Sequence, residues 1–276
     1  MNQLLNRVEN ETVSVIMAVY NCEETVSYAI ESILNQTYQD IQLIICNDCS
    51  TDNTKRIVTE YAEKYPDKII FIENEKNLML PSSLNHCLKY ATGKYIARMD
   101  GDDYSYPNRF ETQVNYLREH EDVDLVGVGM EIFDGKRVLG TVTRNIRPNK
   151  TESIYTNPFL HATIMTYAYV YESLNGYSLE DRAVRVEDAD LWIRFFAKGF
   201  IGENIQEVYY RVLEDENTMS RRKFKYKING YKTSKFGVET FGLSKRHLIK
   251  PFFRLLKGLI PKPIYVLLHR IKFKNN

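Results

Sequence analysis

Long apolar runs are missing from this 276-residue chain, although 43% of its residues are apolar. No run approaches the roughly 18 residues that a membrane-spanning helix requires. The polar stretch from Met1 to Arg7 also lacks the apolar core of a signal peptide. The composition is too hydrophobic for a disordered protein, so we expect one large core or two modest ones in a folded protein that stays in the cytoplasm.

Cysteine is scarce, with four residues in the chain. Four cysteines in a chain of this length do not indicate a disulfide framework. Cys46 and Cys49 have the C-x-x-C spacing of some zinc and redox sites, but no second pair follows them. We therefore predict that they serve in packing and in a turn.

Glycine-rich phosphate loops are missing as well. No G-x-G-x-x-G motif follows the first predicted strand, and G-x-x-x-x-G-K-[ST] occurs nowhere in the chain. The sequence therefore lacks both the dinucleotide-binding fingerprint and the P-loop. A phosphate bound by this protein has to be held in another way, and a metal ion is the natural candidate.

Strands and helices alternate in the N-terminal part. Near-continuous apolar and β-branched runs predict strands buried on both faces, and apolar residues on one helical face predict the helices between them. This alternation predicts an α/β fold with a mainly parallel central sheet and flanking helices. The predicted strands cover residues 12–20, 42–46, 68–72 and 95–99, and the helix at 82–91 should stop at Gly93.

Polar stretches follow three of these strands, at residues 20–21, 47–48 and 100–103. Ligands of parallel sheets bind beyond the carboxyl ends of the strands, so these stretches should meet at one rim. The last stretch contains Asp100, Asp102 and Asp103 around Gly101. Unpaired, each carboxylate would raise the pKa of its neighbours, so the stretch predicts a divalent cation, with a solvated acidic turn as the alternative.

A second acidic pair, Glu187 and Asp188, opens a predicted helix with an apolar stripe at Leu191, Trp192 and Phe195. Carboxylates are favoured in the first turn of a helix by its dipole, so the pair can serve only to stabilise the helix. The alternative is that the pair takes part in catalysis.

Four ordered motifs, at residues 13–21, 47–54, 97–111 and 187–194, resemble those of family 2 glycosyltransferases with the GT-A fold. The resemblance covers about residues 12–215. It implies a Rossmann-like catalytic domain and transfer of a sugar from a nucleotide diphosphate donor with inversion at the anomeric carbon. Processive members carry a Q-x-x-R-W motif after the catalytic acid, whereas Trp192 is the only tryptophan here, so we expect one sugar per reaction.

The resemblance also assigns site residues. Asp188 falls at the position of the catalytic base, where an ordinary pKa of about 3.9 would leave it ionised. Asp102, with Asp100, falls where the family holds Mn²⁺ or Mg²⁺, and Glu187 and His161 fall on the acceptor side. The positions expected to bind the nucleotide sugar are Ala18, Tyr20, Asn21, Asp48, Asn77, Arg98, Asp100 and Gly101.

The chain departs from the family pattern at two positions. Asn47 stands where many relatives have the first of two aspartates, and Ala18 stands where many have proline. Asp48, which matches the position that hydrogen-bonds the base, is retained. Nucleotide binding is therefore expected, with a UDP-sugar as the favoured donor.

Charge divides the chain into two parts. Residues 221–276 hold 16 Lys and Arg against one acid, Glu239, whereas residues 1–220 hold 21 against 35 acids. We expect a catalytic domain at 1–220, with the nucleotide sugar bound by about 12–105 and the acceptor by about 106–220, and a basic amphipathic helical tail at 221–276.

We predict that residues 245–274 hold the protein on the anionic inner face of the cell membrane, where it feeds a lipid-linked cell-surface glycan such as a polysaccharide, lipopolysaccharide or capsule. The alternative is that the tail helices pack on the acidic body; nucleic acid is not an expected partner.

Three other functions compete with glycosyl transfer. A glycoside hydrolase would use paired carboxylates but no metal-compatible cluster at a strand end. A nucleotidyltransferase would carry a glycine-rich, basic signature after the first strand, where residues 18–22 have neither glycine nor a basic residue. A non-catalytic nucleotide-sugar or lipid-binding protein would be expected to have lost one of the acidic motifs.

Overall fold

A computed structural model describes residues 11–213 and 224–256. Within these residues one sheet of nine strands forms the centre of the molecule. The strands are β1 (Val13–Val19), β2 (Ile41–Asn47), β3 (Ile69–Glu73), β4 (Tyr95–Asp100), β5 (Tyr104–Ser105), β6 (Leu125–Phe133), β7 (Val138–Val142), β8 (Met165–Tyr167) and β9 (Gly202–Leu213).

The first half of the sheet is parallel and the second half is mixed. Strands β3, β2, β1 and β4 lie side by side in that order, and each neighbouring pair is parallel. Beyond β4 the order is β8, β6, β9 and β5, and β7 pairs with β6. Strand β8 runs antiparallel to both β4 and β6, whereas β6 and β9 are parallel. The α/β fold and its four N-terminal strands are thus confirmed.

Helices cover both faces of the sheet. Alternate residues of β1 point to opposite faces, so Val15 and Met17 join one apolar cluster and Ile16 joins the other. This burial on both faces explains why the strand reads as a continuous apolar run. The helices are α1 (Val26–Leu34), α2 (Thr54–Lys64), α3 (Met79–Leu88), α4 (Arg109–Glu119), α5 (Lys150–Tyr155), α6 (Ala168–Leu174), α7 (Glu187–Ala197), α8 (Phe224–Thr240) and α9 (Ile249–Leu256).

The predicted boundaries of α3 were wrong. The helix begins at Met79 instead of Ser82 and ends at Leu88, well before Gly93. Gly93 instead lies against the neighbouring backbone, because a Cβ there would be 2.3 Å from the carbonyl oxygen of Thr12. A close approach of two backbones, and not a helix stop, therefore requires this glycine.

The cysteines agree with their predicted roles. All four are free. Cys46 is buried in the core beside β1, and Cys49 is exposed in a turn with φ 62°.

Part of the basic tail is integrated into the body. On α8, Asn229 Nδ2 donates to the carbonyl oxygen of Val184 at 3.0 Å, and Thr233 Oγ1 donates to that of Arg182 at 2.9 Å. Helix α9 follows and buries Pro251. Residues 257–276, which include most of the predicted membrane-binding segment, lie outside the described residues. In the part of the chain that the structure describes, no helix is long and apolar enough to cross a membrane.

Candidate active site

The three predicted strand ends meet at one rim, as the sequence indicated. In the sheet register Ala18 lies between Cys46 of β2 and Asp100 of β4. The loop after β1 is joined to the loop after β2 by Asn21, whose Oδ1 accepts from the amide of Thr51 at 2.8 Å. Residues far apart in sequence therefore form one continuous surface beyond the carboxyl ends of the strands.

A cavity of about 580 Å³ opens at this rim. Its lining brings together predicted residues from four segments, namely Ala18, Tyr20, Asp48, Asn77 and Glu187. Its size and position suit a nucleotide sugar, because ligand sites of α/β sheets lie at this edge.

Asp48 shapes this cavity by capping a helix. Its buried carboxylate accepts from the amides of Leu78 and Met79, both at 2.8 Å, and from Asn74 Nδ2 at 2.8 Å. These bonds fix the segment that carries Asn77 and satisfy the first amides of α3. Asp48 therefore holds the wall of the cavity in place, a role that its position in the sequence did not reveal.

Several residues around the rim have left-handed backbone conformations. Asn21, Met79 and Arg185 have φ values of 49°, 69° and 64°. Met79 and Arg185 line the cavity itself. Such conformations are costly for residues other than glycine and concentrate at functional sites.

The acidic turn is compact. Asp100, Asp102 and Asp103 each offer a carboxylate oxygen, and these atoms all lie within 4.8 Å of one another. Asp102 is exposed, whereas Asp103 is buried and accepts from the amide of Leu213 at 3.1 Å. Burial raises the pKa of Asp103 well above its usual value, and the charges of Asp100 and Asp102 raise it further.

Gly101 allows this turn to approach β1. A Cβ at this position would lie 2.7 Å from Val19 Cγ1 and 3.3 Å from Cys22 Sγ. The carbonyl oxygen of Gly101 accepts from Thr25 Oγ1 at 3.2 Å. The turn is thus packed against the residues that follow β1.

Arg98 is the central charge of the site. It is 4% exposed, its two terminal nitrogens donate to the two carboxylate oxygens of Asp100, and its Nε has no partner among the described residues. Burial by itself would lower its pKa, but Asp100 raises it, so Arg98 stays charged. Because both Asp100 oxygens already accept from Arg98, Asp102 is the more accessible ligand for a metal.

Arg109 supports the backbone of Arg98 through a hydrogen bond. Its side chain is fully buried, and its Nη2 donates to the carbonyl oxygens of Arg98 at 2.9 Å and Ile164 at 3.3 Å. Burial lowers the pKa of Arg109 to about 10. This support was not identified from the sequence, although Arg109 lies inside the motif at 97–111 that carries the family resemblance.

Glu187 and Asp188 stand in the first turn of α7, as predicted. Asp188 Oδ2 accepts from Asn157 Nδ2, and Oδ1 accepts from the amide of Ala189 at 2.7 Å. Burial raises the pKa of Asp188, while these two bonds and the charge of Arg98 act in the opposite direction. The expectation of an ordinary aspartate pKa is therefore corrected upward.

The two acids face different cavities. Glu187 lines the cavity at the rim, where its Oε2 is buried without a partner among the described residues. Burial, followed by the charge of Asp188, raises the pKa of Glu187. Asp188 lines a neighbouring cavity of about 730 Å³. The acidic pair thus lies at the boundary between two cavities, which the sequence could not show.

His161 lies behind the site. Its Nε2 is 2.8 Å from the hydroxyl of Tyr177, which is in turn 2.8 Å from that of Tyr171. Burial lowers the pKa of His161 well below its usual value, and Arg98 lowers it further, so the ring is neutral. The imidazole is thus bonded to a tyrosine and lines neither cavity, and the acceptor-side role of His161 stays a prediction.

The sequence matches the family model of Glycosyl transferase family 2 over residues 14–175. The chain is 49% identical over 222 residues to the Bacillus subtilis protein EpsE, which is named as a glycosyltransferase, and the match covers 79% of this chain and 78% of EpsE. This chain is a family 2 glycosyltransferase.

Two further proteins resemble this glycosyltransferase over most of its length. WfaP of Escherichia coli, a UDP-Glc:alpha-D-GlcNAc-diphosphoundecaprenol beta-1,3-glucosyltransferase, is 29% identical over 253 residues, which cover 91% of this chain and 95% of WfaP. Residues 1–349 of S. aureus TarS, solved with UDP-GlcNAc, superpose with a TM-score of 0.67 at 20% identity, covering 90% of this chain and 71% of that one. The fold of this glycosyltransferase is GT-A.

Proposed function

We propose that this enzyme transfers one sugar at a time, with inversion, from a nucleotide diphosphate sugar to a lipid-linked glycan of the cell surface. The observation that carries the proposal is the carboxylate cluster at the end of β4. It lies beside a cavity lined by Glu187, and Asp188 lines the neighbouring cavity. Donor, metal and base would thus have separate positions around one rim.

A UDP-sugar is the proposed donor. TarS was solved with UDP-GlcNAc, and WfaP is named for a UDP-Glc donor. The cavity lined by Ala18, Tyr20 and Asn77 would hold the nucleotide, with its shape maintained by Asp48. Asn21, Arg98, Asp100 and Gly101 complete the proposed donor site.

The acidic turn fits a divalent metal. Three carboxylate oxygens within 4.8 Å of one another form a hard-oxygen donor set, and burial, followed by repulsion from Asp100 and Asp102, raises the pKa of Asp103. Asp102, with Asp100, would hold Mn²⁺ or Mg²⁺. Such an ion would stabilise the negative charge that develops on the leaving diphosphate.

Asp188 is the proposed general base. As the acceptor oxygen forms its bond to the anomeric carbon, its proton passes to Asp188, and the electrons of the breaking carbon–oxygen bond leave with the diphosphate. Attack from the face opposite the leaving group inverts the anomeric carbon. Asn157 and the amide of Ala189 orient the carboxylate, and the raised pKa of Asp188 makes it a stronger proton acceptor. Glu187 and His161 belong to the surroundings of this acceptor side.

The metal proposal is tested with the Asp102→Asn variant. In a panel of UDP-sugars with Mn²⁺, we expect nucleotide release to fall at least about a hundredfold, because several kcal/mol of charge stabilisation are lost. Asp67→Asn, a substitution at an exposed turn far along the chain from the acidic cluster, serves as the matched control. Full turnover in excess chelator would refute the metal's role.

We propose that residues 1–220 form the catalytic domain and that residues 221–276 form a tail that faces the membrane. Helix α8 would connect the two parts. On α9, Phe252 and Phe253 are 45% and 58% exposed, and Lys250 and Arg254 lie on the same short helix. Exposed aromatic side chains beside cations suit the surface of an anionic bilayer, where each cation near the lipid headgroups adds about 1 kcal/mol to the free energy of membrane binding. The proposed location is the inner face of the cell membrane.

Surface substitutions test this tail better than truncation, since removal of α8 would expose the body it packs on. We expect the double variant Phe252→Ser and Phe253→Ser to co-sediment less with anionic liposomes at low salt than the unchanged protein. Leu139→Ser, at an exposed apolar position in β7, is the control. Equal sedimentation of both variants would rule out a contribution of α9.

A further inference from the structure

A third cavity adjoins the one that Asp188 lines. Its volume is about 570 Å³, within the range of small-molecule sites, and Arg144, Thr156 and Asn157 line both cavities. Asn157 lies at the boundary, because its Nδ2 also donates to Asp188 Oδ2. Since Arg185 lines both the donor cavity and the cavity of Asp188, the three cavities follow one another in a row.

The walls of this third cavity are joined by one buried side chain. Asn204 of β9 is 3% exposed, and its Nδ2 donates to the carbonyl oxygen of Asn145 at 2.8 Å and to that of Pro158 at 3.1 Å. Its backbone amide donates to the carbonyl oxygen of Ile146 at 2.7 Å. The segment after β7 and the segment after α5 are therefore tied to the same strand, so the opening between them has a fixed width.

The lining of the third cavity suits an uncharged sugar. Arg144 and Glu152 are the residues of opposite charge among its described lining residues, and their charges offset one another. Asn145 and Gln206 add amide donors and acceptors, which match sugar hydroxyls because each hydroxyl both donates and accepts. Ile146, which is 58% exposed, adds an apolar surface for the C–H face of a sugar ring. A carboxylate in the lining repels a phosphate, so a phosphate is the poorer occupant.

The polar groups of this lining are held in defined orientations. Glu152 Oε2 accepts from Asn145 Nδ2 at 2.6 Å, and Glu152 Oε1 accepts from Asn149 Nδ2 at 3.0 Å. Gln206 Nε2 donates to the carbonyl oxygen of Arg144 at 2.9 Å. Side chains fixed in this way lose little conformational entropy when a ligand binds, which favours affinity.

We infer that the third cavity is an acceptor subsite, which binds the sugar next to the accepting sugar. The hydroxyl of the accepting sugar would face Asp188, while the neighbouring sugar would lie between Asn145, Glu152 and Gln206. The acceptor is then an oligosaccharide of at least two sugars. The inference rests on the proposed function and adds a requirement for acceptor length to it.

Pairs of acceptors of different length test this inference. Each pair is an octyl β-monosaccharide and an octyl β-disaccharide that ends in the same sugar: glucoside with cellobioside, galactoside with lactoside, and N-acetylglucosaminide with chitobioside. With Mn²⁺ and the UDP-sugar that the enzyme transfers or hydrolyses, kcat/KM is measured for each acceptor, and saturation-transfer NMR with UDP measures which rings contact the protein. We expect at least one disaccharide to exceed its monosaccharide about tenfold, which corresponds to one or two hydrogen bonds in the third cavity, and to show contact at both rings.

Thr143→Trp probes the third cavity directly, because it places a bulky ring in a lining position that is not among the described lining residues of the Asp188 cavity. It should lower the ratio of kcat/KM between disaccharide and monosaccharide about tenfold, mainly through the KM of the disaccharide. Thr141→Trp is the matched control, since Thr141 is an exposed threonine of β7, close in the chain, and is not among the described residues that line the third cavity. Thermal unfolding of both variants shows whether the fold is kept, and Gln206→Ala replaces Thr143→Trp if that variant fails to fold.

Two results would overturn the inference. One is that a UDP-sugar is transferred or hydrolysed, yet no disaccharide exceeds its monosaccharide in kcat/KM or shows contact at its second ring. The other is that the variants at Thr143 and Thr141 change the ratio by the same factor. Either result leaves the glycosyltransferase proposal standing, whereas absence of both transfer and hydrolysis with every UDP-sugar would contradict the proposed function itself.

Discussion

Asp190 offers a sharp test of what holds α7, and with it Asp188, in place. Its side chain is 0% exposed and forms ion pairs with Arg182 and with Arg194, whose Nε lies 2.7 Å from Asp190 Oδ2. Arg182 also stacks on Phe236 of α8, with 3.7 Å between its Cζ and the ring centroid. One buried carboxylate therefore joins α7, the segment before it and α8.

Replacing Asp190 by Asn would remove the buried counter-charge of two largely buried guanidinium groups, and Arg182 would keep only its exposed partner Glu180. Removing one partner of a buried ion pair costs about 3–5 kcal/mol, out of a total stability of about 5–15 kcal/mol. With about 2–4 °C per kcal/mol for chains of this order of size, we expect Tm to fall by roughly 10 °C.

Glu180→Gln is the matched control, because Glu180 pairs with the same Arg182 at 2.9 Å but is 67% exposed. Exposed ion pairs contribute about 0–1 kcal/mol, so its Tm should fall by no more than about 4 °C. Thermal unfolding of both variants, followed by circular dichroism at one scan rate, makes the comparison. Equal losses of Tm would refute the assignment of Asp190 as the buried anchor.

Three further predictions concern Asp188, the proposed base. Asp188→Asn should lower kcat about 10²- to 10⁴-fold and leave donor affinity nearly unchanged. Steady-state kinetics and nucleotide binding measure the two effects. A large loss of nucleotide binding would make Asp188 a binding residue. As the proposed base, Asp188 has to be deprotonated for transfer. Because burial raises the pKa of Asp188, we expect the acid limb of the pH profile of kcat to lie above that of an ordinary aspartate. Asn157→Ala removes a bond that favours the charged form, and should move that limb to higher pH; an unmoved limb would show that another group controls it.

Local patterns in the sequence were enough to predict the frame of the enzyme. The period of apolar residues predicted β1 to β4, and the carboxyl ends of those strands predicted the rim where residues 20–21, 47–48 and 100–103 meet. The acidic turn and the acids that open α7 were likewise visible as short motifs. These features depend on residues close together in the chain, or on the general rule for parallel sheets.

Contacts between distant parts of the chain decided the rest. Asp48 caps α3 some 30 residues away, Arg109 supports the backbone of Arg98, and α8 packs on the segment before α7. Which cavity each of Glu187 and Asp188 faces was also settled only by packing. Periodicity specifies which face of an element is buried, but it does not specify the partner, because that choice depends on the relative placement of elements that the sequence does not encode locally.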